Sequence, residues 1–352
     1  MVSTLDSRLS SDYWVQLAWW VGLVALALTI VIALQIIDMR RSTLRRAARD
    51  AALTHTWRPV LNAALMGIVP ERLPPLASRD MMSFLNLWLH LHQSVRGGAG
   101  DALNTIGRRL QCELVARRLL RRGSRAQVIV ATLVLGHLRE RAAWADLSRQ
   151  VHGADSAPSI LALWALVQID AAAAASEIEG TLLLRADWPV AQLATILQTA
   201  RDVWEPVLTS TVAAIDTGRL PGALRLMAAL RLTLPAPVLQ AMLAHPDPDV
   251  VIAALRLATT TACVDQVRAH LGHAHWQVRV QAARALAPLG NRDDVGRLQA
   301  LLFDREWWVR YRGAQALARL PFLSPAELTA LAAGDRFAAD IVRHVLAEQD
   351  NA

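Results

Sequence analysis

Lysine is absent from this 352-residue chain, and all 37 basic residues are arginine. A P-loop nucleotide site needs a lysine on the β- and γ-phosphates, a protein kinase needs one beside its nucleotide, and Schiff-base catalysis needs a side-chain amine. None of these is possible here. The two cysteines, Cys112 and Cys263, stand far apart with no Cys-x-x-Cys. Neither a disulfide framework nor an intrachain thiolate zinc site is available. Gly-x-Ser-x-Gly, His-Glu-x-x-His and Gly-x-Gly-x-x-Gly are missing as well. What is plentiful is apolar: with 54% hydrophobic and 19% charged residues, the chain can bury cores rather than stay disordered.

Residues 13–37 form a run of twenty-five without a charge. A bilayer core of about 30 Å needs roughly 20 apolar helical residues, so a transmembrane helix is predicted. Tyr13, Trp14, Trp19 and Trp20 gather at its start, where interfacial aromatics are favoured. Arg40, Arg41, Arg45, Arg46 and Arg49 follow it, whereas residues 1–12 hold only Asp6, Arg8 and Asp12. By the positive-inside rule the tail 1–12 lies outside and the rest of the chain in the cytoplasm, at the inner membrane. A cleaved signal peptide fits less well, because the start is acidic and the apolar core is long. Later uncharged runs stop at fifteen residues, too short for a second span.

Residues 38–79 read as a basic juxtamembrane helix followed by a hinge or extended connection, since 66–75 contains three prolines and a glycine. Helical periodicity resumes over 80–95, where Phe84, Leu85, Trp88, Leu89 and Leu91 supply an apolar face, and Gly97, Gly98 and Gly100 stop it. A second helix over 101–122 completes a pair expected to cap the remainder of the chain. From 123 to 352 the chain repeats itself. Trp276, Val278, Arg279, Ala283, Ala285, Leu286, Ala287 and Leu289 recur as Trp307, Val309, Arg310, Ala314, Ala316, Leu317, Ala318 and Leu320, at a constant offset of 31. Weaker copies are anchored on Val190 and Val250. Further apolar helices near 127–138, 158–169, 222–232 and 336–346 bring the count to about eight units. Between them lie shorter helices at 143–151, 177–184, 203–215, 236–243, 264–271, 295–302 and 326–331. Paired helices at this period cannot bury their faces alone and must stack, so the predicted fold class is all-α, one transmembrane helix followed by an α-solenoid.

The pattern around Val278 and Val309 resembles the short HEAT-like repeats of bacteria, and all-arginine usage fits GC-rich bacterial coding. That resemblance implies a structural role for Arg279 and Arg310, which follow the anchor valines. Enzymes exist on HEAT-like scaffolds, but the di-iron hydroxylase of that group uses His-Glu pairs, and no histidine here precedes a glutamate. Nothing points to the tetrapyrrole of the similar phycobilin lyases or to a DNA glycosylase site. No cofactor, metal or catalytic residue is expected, and His270, His273 and His275 read as a solvated turn rather than a ligand set.

Candidate contacts remain. Trp188, Trp276 and Trp307, with Pro248 at the same place, precede the anchors by two residues, after N-cap candidates Asp187, His275, Glu306 and Asp247. The tryptophans read first as packing between repeats, and second, with Arg279 and Arg310, as a protein-binding ridge, since tryptophan and arginine dominate interface hot spots. The net charge of +7 is uneven: residues 1–138 hold 17 Arg against 8 acids, and 139–352 hold 20 Arg against 22 acids. The excess sits in the juxtamembrane cluster and in Arg108, Arg109, Arg117, Arg118, Arg121, Arg122 and Arg125. Arg40, Arg41, Arg45 and Arg46 suit anionic lipid headgroups. Arg117, Arg118, Arg121 and Arg122 form either a solvated helix face or a stripe that meets headgroups or an acidic partner. The functional expectation is a non-enzymatic, membrane-anchored scaffold for a cytoplasmic or inner-membrane protein, accessory to an envelope complex for polysaccharide or secretion by analogy. A membrane-tethered nucleic-acid protein comes second, disfavoured by the near-neutral repeats, and an enzyme acting on a small molecule third.

Overall fold

The apolar run near the N-terminus lies inside a single helix far longer than a bilayer requires. The computed structural model describes residues 3–94, 99–183, 185–212 and 214–350, and α1 runs Ser3–Leu65 within it. At 1.5 Å per residue α1 is about 95 Å long. It is helical from Ser3, so the stretch expected as a tail is mostly the first part of this helix. Met1 and Val2 of that tail, Gly97 and Gly98 of the expected helix stop, and the side chains of Tyr13, Trp14 and Arg46 lie outside the described residues.

Packing divides the chain into two compact units, Met1–Ala116 and Arg117–Ala352. In the first, the C-terminal part of α1 packs against α2 (Met81–Gln93) and α3 (Ala99–Arg109). Trp57, Leu61 and Ala64 are buried there with Phe84, Leu85, Trp88, Leu103 and Ile106. Trp57 meets Phe84 edge-on at 4.8 Å, and the Trp88 indole N–H donates to the Leu103 carbonyl at 2.9 Å. Glycine ends α1: Gly67 adopts φ +84°, and its N–H and that of Ile68 return to the carbonyls of Ala64 and Ala63. That is the left-handed cap glycine adopts without a Cβ penalty. The segment predicted to be a hinge or extended connection carries no helix, and the Arg109 guanidinium donates to its Pro70 carbonyl at 2.7 Å and to that of Glu71. The single helix expected over 101–122 is two, α3 and α4 (Cys112–Arg122). Gln111 turns to φ +55° and its N–H caps the Arg108 carbonyl, which ends α3.

The second unit alternates first and second helices. First helices are α5 (Arg125–His137), α7 (Ser156–Ile169), α9 (Val190–Gln198), α11 (Leu220–Ala229), α13 (Pro248–Leu255), α15 (Trp276–Leu286), α17 (Trp307–Ala318) and α19 (Arg336–Asp350). Second helices are α6 (Trp144–Val151), α8 (Ala171–Leu182), α10 (Arg201–Val212), α12 (Ala236–Leu243), α14 (Val264–Ala269), α16 (Val295–Leu301) and α18 (Pro325–Leu331). Each first helix packs on the next, from α5 on α7 through to α17 on α19, which makes one continuous α-solenoid. Among the described residues there is no strand.

Local chemistry sets the boundaries. Asp155, Asp170 and Asp247 accept from the N–H groups of Ala157, Ala173 and Asp249 at the starts of α7, α8 and α13, each satisfying a donor that a helix end would otherwise leave orphaned. α8 therefore begins at Ala171, six residues before the expected 177, because the Asp170 cap precedes a run of alanines with high helix propensity. α9 begins at Val190, so Trp188 stands before its helix rather than in its first turn. Gly136 sits where α5 and α7 approach closely: a Cβ there would lie 2.5 Å from a Trp164 ring atom and 3.0 Å from the Ala165 Cα. Gly136→Ala is expected to cost about 2 kcal/mol through overpacking, read as a lower urea midpoint with an unchanged m-value.

Candidate functional site

Six residues after its anchor valine, α15 carries Arg284, and the residue that caps α13 at the same place is Arg256. Six residues turn a helix by about 240° beyond one full turn, so these side chains leave the face on which Val250 and Val278 are buried. Both are exposed, and with Arg225 of α11 they line a groove of about 630 Å³ that runs across α9, α11, α13 and α15. Small residues, among them Ala191, Ala228, Ala229, Ala258 and Ala285, keep it open, and no acid lines it. Among the described residues none of the three guanidiniums has an ion pair or hydrogen bond. Arg256 is held below the usual arginine value, first by burial and then by the charges of Arg284 and Arg225. α17 has Gln315 at the equivalent position, so the row of arginines ends at α15.

Several arginines elsewhere in the array pair with an acid one repeat further on. Arg121 meets Asp146 at 2.6 Å, Arg141 meets Asp170 at 3.0 Å, Arg268 meets Asp294 at 2.7 Å and Arg279 meets Asp304 at 2.8 Å. Arg279 makes a two-pronged contact with Asp304 and also donates to the His273 and Ala274 carbonyls. Arg310 donates to the Asp304 carbonyl at 2.8 Å. Burial raises the Asp304 carboxyl, but Arg279 and the Glu306 N–H outweigh it, so the acid is held below its usual range. These arginines join repeats, and a partner reaching Arg279 would compete with Asp304.

The tryptophans separate. Trp188 is 4% exposed, donates to Ser159 Oγ at 3.2 Å and lies under the Arg185 guanidinium. Trp276 is half-buried. Trp307 and its neighbour Trp308 are 44% and 50% exposed. Trp307 stacks on Tyr311 with centroids 5.1 Å apart, and Phe303 and Phe337 add further exposed ring surface. Neither His275 nor Glu306 caps its helix through the side chain, and Asp187 pairs with Arg185 instead. His273 stacks on His275 and meets His270 edge-on, and His270 lies against the Leu243 carbonyl. No group of three or more potential metal ligands occurs among the described residues.

The basic clusters also differ from a plain stripe. Arg40, Arg41, Arg45 and Arg49 are exposed on α1. On α4, Arg117 is half-buried, Arg118 and Arg122 are exposed, and the charge of Arg121 is matched by Asp146.

Residues 264–349, from α14 into α19, match the family model of HEAT repeats. No curated protein matches the chain. The array is a HEAT-like α-solenoid, a helical repeat scaffold of the kind suited to protein interaction.

Proposed function

We propose that the protein is a single-pass scaffold of the inner membrane, with its N-terminus outside and its solenoid in the cytoplasm, and that it holds a protein partner beside the membrane. One observation carries this reading: within α1, apolar side chains from Trp19 to Ile37 are exposed, while Trp57 and Leu61 of the same helix are buried in a core. α1 is the one helix among the described residues that is long and apolar enough to cross a membrane. A soluble core helix would bury its most apolar stretch, and a cleaved leader has no reason to continue unbroken into a folded unit. Between Asp38 and Trp57 the helix spans about 30 Å, which sets the height of the first core above the bilayer. The exposed Arg40, Arg41, Arg45 and Arg49 fix orientation and meet anionic headgroups, worth about 1 kcal/mol each near the surface. An acceptor within an envelope complex suits this placement.

Deletion of residues 1–37 is expected to move the protein from the membrane fraction to the soluble fraction. A reporter that functions only in the cytoplasm, fused after Ala352, should be active on the full chain. Membrane retention of the deletion, or an inactive reporter, would overturn the anchor or its orientation respectively.

A further inference from the structure

The groove across α9, α11, α13 and α15 is cationic, and it gathers several arginines where other arginines of the array pair with acids or stand singly. Three exposed guanidiniums face it, one from each of three successive repeats, with no acid in its walls. Gln281 adds a polar group: it is 7% exposed, lines the groove, and its amide has no hydrogen-bond partner among the described residues. Unmatched like charges in one groove are a cost to the folded protein, and an anionic ligand would remove it.

The spacing indicates which anion. Helices packed side by side lie about 8–10 Å apart, so Arg256 and Arg284, at matching positions of α13 and α15, recur at about that interval, and Arg225 comes from the helix before them. A peptide in the extended polyproline II conformation has 3 residues per turn and rises about 3.1 Å per residue, which brings every third side chain to the same face after roughly 9 Å. Phosphates along one strand of B-form nucleic acid are much closer, one per about 3.4 Å of axis, and residues 139–352 carry two more acids than arginines, so long-range attraction for a polyanion is missing.

We infer that this groove receives an extended acidic segment of a partner protein, whose carboxylates stand three residues apart and pair in order with Arg225, Arg256 and Arg284, its backbone lying over the alanines and within reach of Gln281. This rests on the scaffold reading and adds the chemistry of the partner. Carboxylate–guanidinium pairs supply the register, and the small side chains of Ala228, Ala258 and Ala285 let the peptide backbone approach.

The test uses the full chain in detergent micelles and fluorescence anisotropy with three probes: a labelled nonapeptide with glutamates at its first, fourth and seventh positions, the same composition with the three glutamates adjacent, and a single-stranded oligothymidylate. The spaced peptide should bind at least tenfold more tightly than the clustered one. Arg225→Gln, Arg256→Gln and Arg284→Gln together should abolish that difference, and Arg343→Gln, a residue that pairs with Asp340 on α19, should leave it intact. Arg256→Gln alone should weaken the spaced peptide severalfold without lowering the melting temperature, which separates lost binding from lost folding. Equal binding of the two peptides, tightest binding by the oligonucleotide, or binding unaffected by the triple variant would each overturn the proposal. Crosslinking from native membranes distinguishes the two failures: a partner captured through the Trp307 face alone sinks the groove and spares the scaffold, and a full chain that is never membrane-bound sinks the scaffold.

Discussion

Asp294→Ala is expected to destabilise the C-terminal repeats by about 3 kcal/mol or more, the usual cost of removing one partner from a buried ion pair. The Asp294 side chain is fully buried, accepts from Arg268 Nε at 2.7 Å and a second Arg268 nitrogen at 2.9 Å, and also takes the Asn291 N–H at 3.0 Å. The alanine variant leaves Arg268 with Asp265 alone, on a side chain that is itself largely buried, and removes the acceptor that closes the turn into α16. Burial pushes the Asp294 carboxyl up, but Arg268 and the Asn291 N–H outweigh it and hold it below the ordinary carboxylate range. The folded value is therefore lower than the unfolded one, so this stabilisation is complete above about pH 4 and is lost as pH falls through the folded value. Urea unfolding at neutral pH should show the full deficit, and the gap between wild type and variant should narrow below pH 4. A gap that widened in acid would contradict the assignment.

Trp57→Ala is expected to cost about 3–5 kcal/mol, the range for truncating a fully enclosed indole. Trp57 closes the buried stretch at the end of α1 against Phe84, so its loss loosens the junction between the anchor helix and the first core. Amide hydrogen exchange should accelerate in α2 and α3, and the Cys112 thiol, buried at the edge of that unit and pushed up to about 12 by burial and then Glu113, should become open to alkylation. A variant whose α2 amides stayed as protected as wild type would show that Trp57 contributes little to that core.

Much of the fold was readable because repeat structure is local. The burial of Val278 and Val309, and the spacing of their alanines and leucines, follow from helical period alone. Second helices such as α12 matched their expected bounds of 236–243. The misreadings were local conflicts decided by single groups. Gln111 broke a helix whose composition favoured continuation, and Asp170 started one early. Site residues were harder to read, since one motif position led to two environments. Trp188 found Ser159 one repeat back and closed over it, whereas Trp307 stacks on Tyr311 of its own helix and stays exposed.

The groove left a partial signal, since Arg256 and Arg284 share one place after their anchors. Arg225 does not, because α11 has no anchor valine at the matching point. Whether those charges were free could not be read from the chain, because arginines and acids are nearly equal in number across the repeats. By itself the sequence determined the helical class, the repeat period and the long apolar stretch of α1, all set by contacts within a few residues. Only the tertiary structure decided which arginines are matched and which stand open, because their partners lie about one repeat away, as Arg279 and Asp304 do, and stacking alone brings them together.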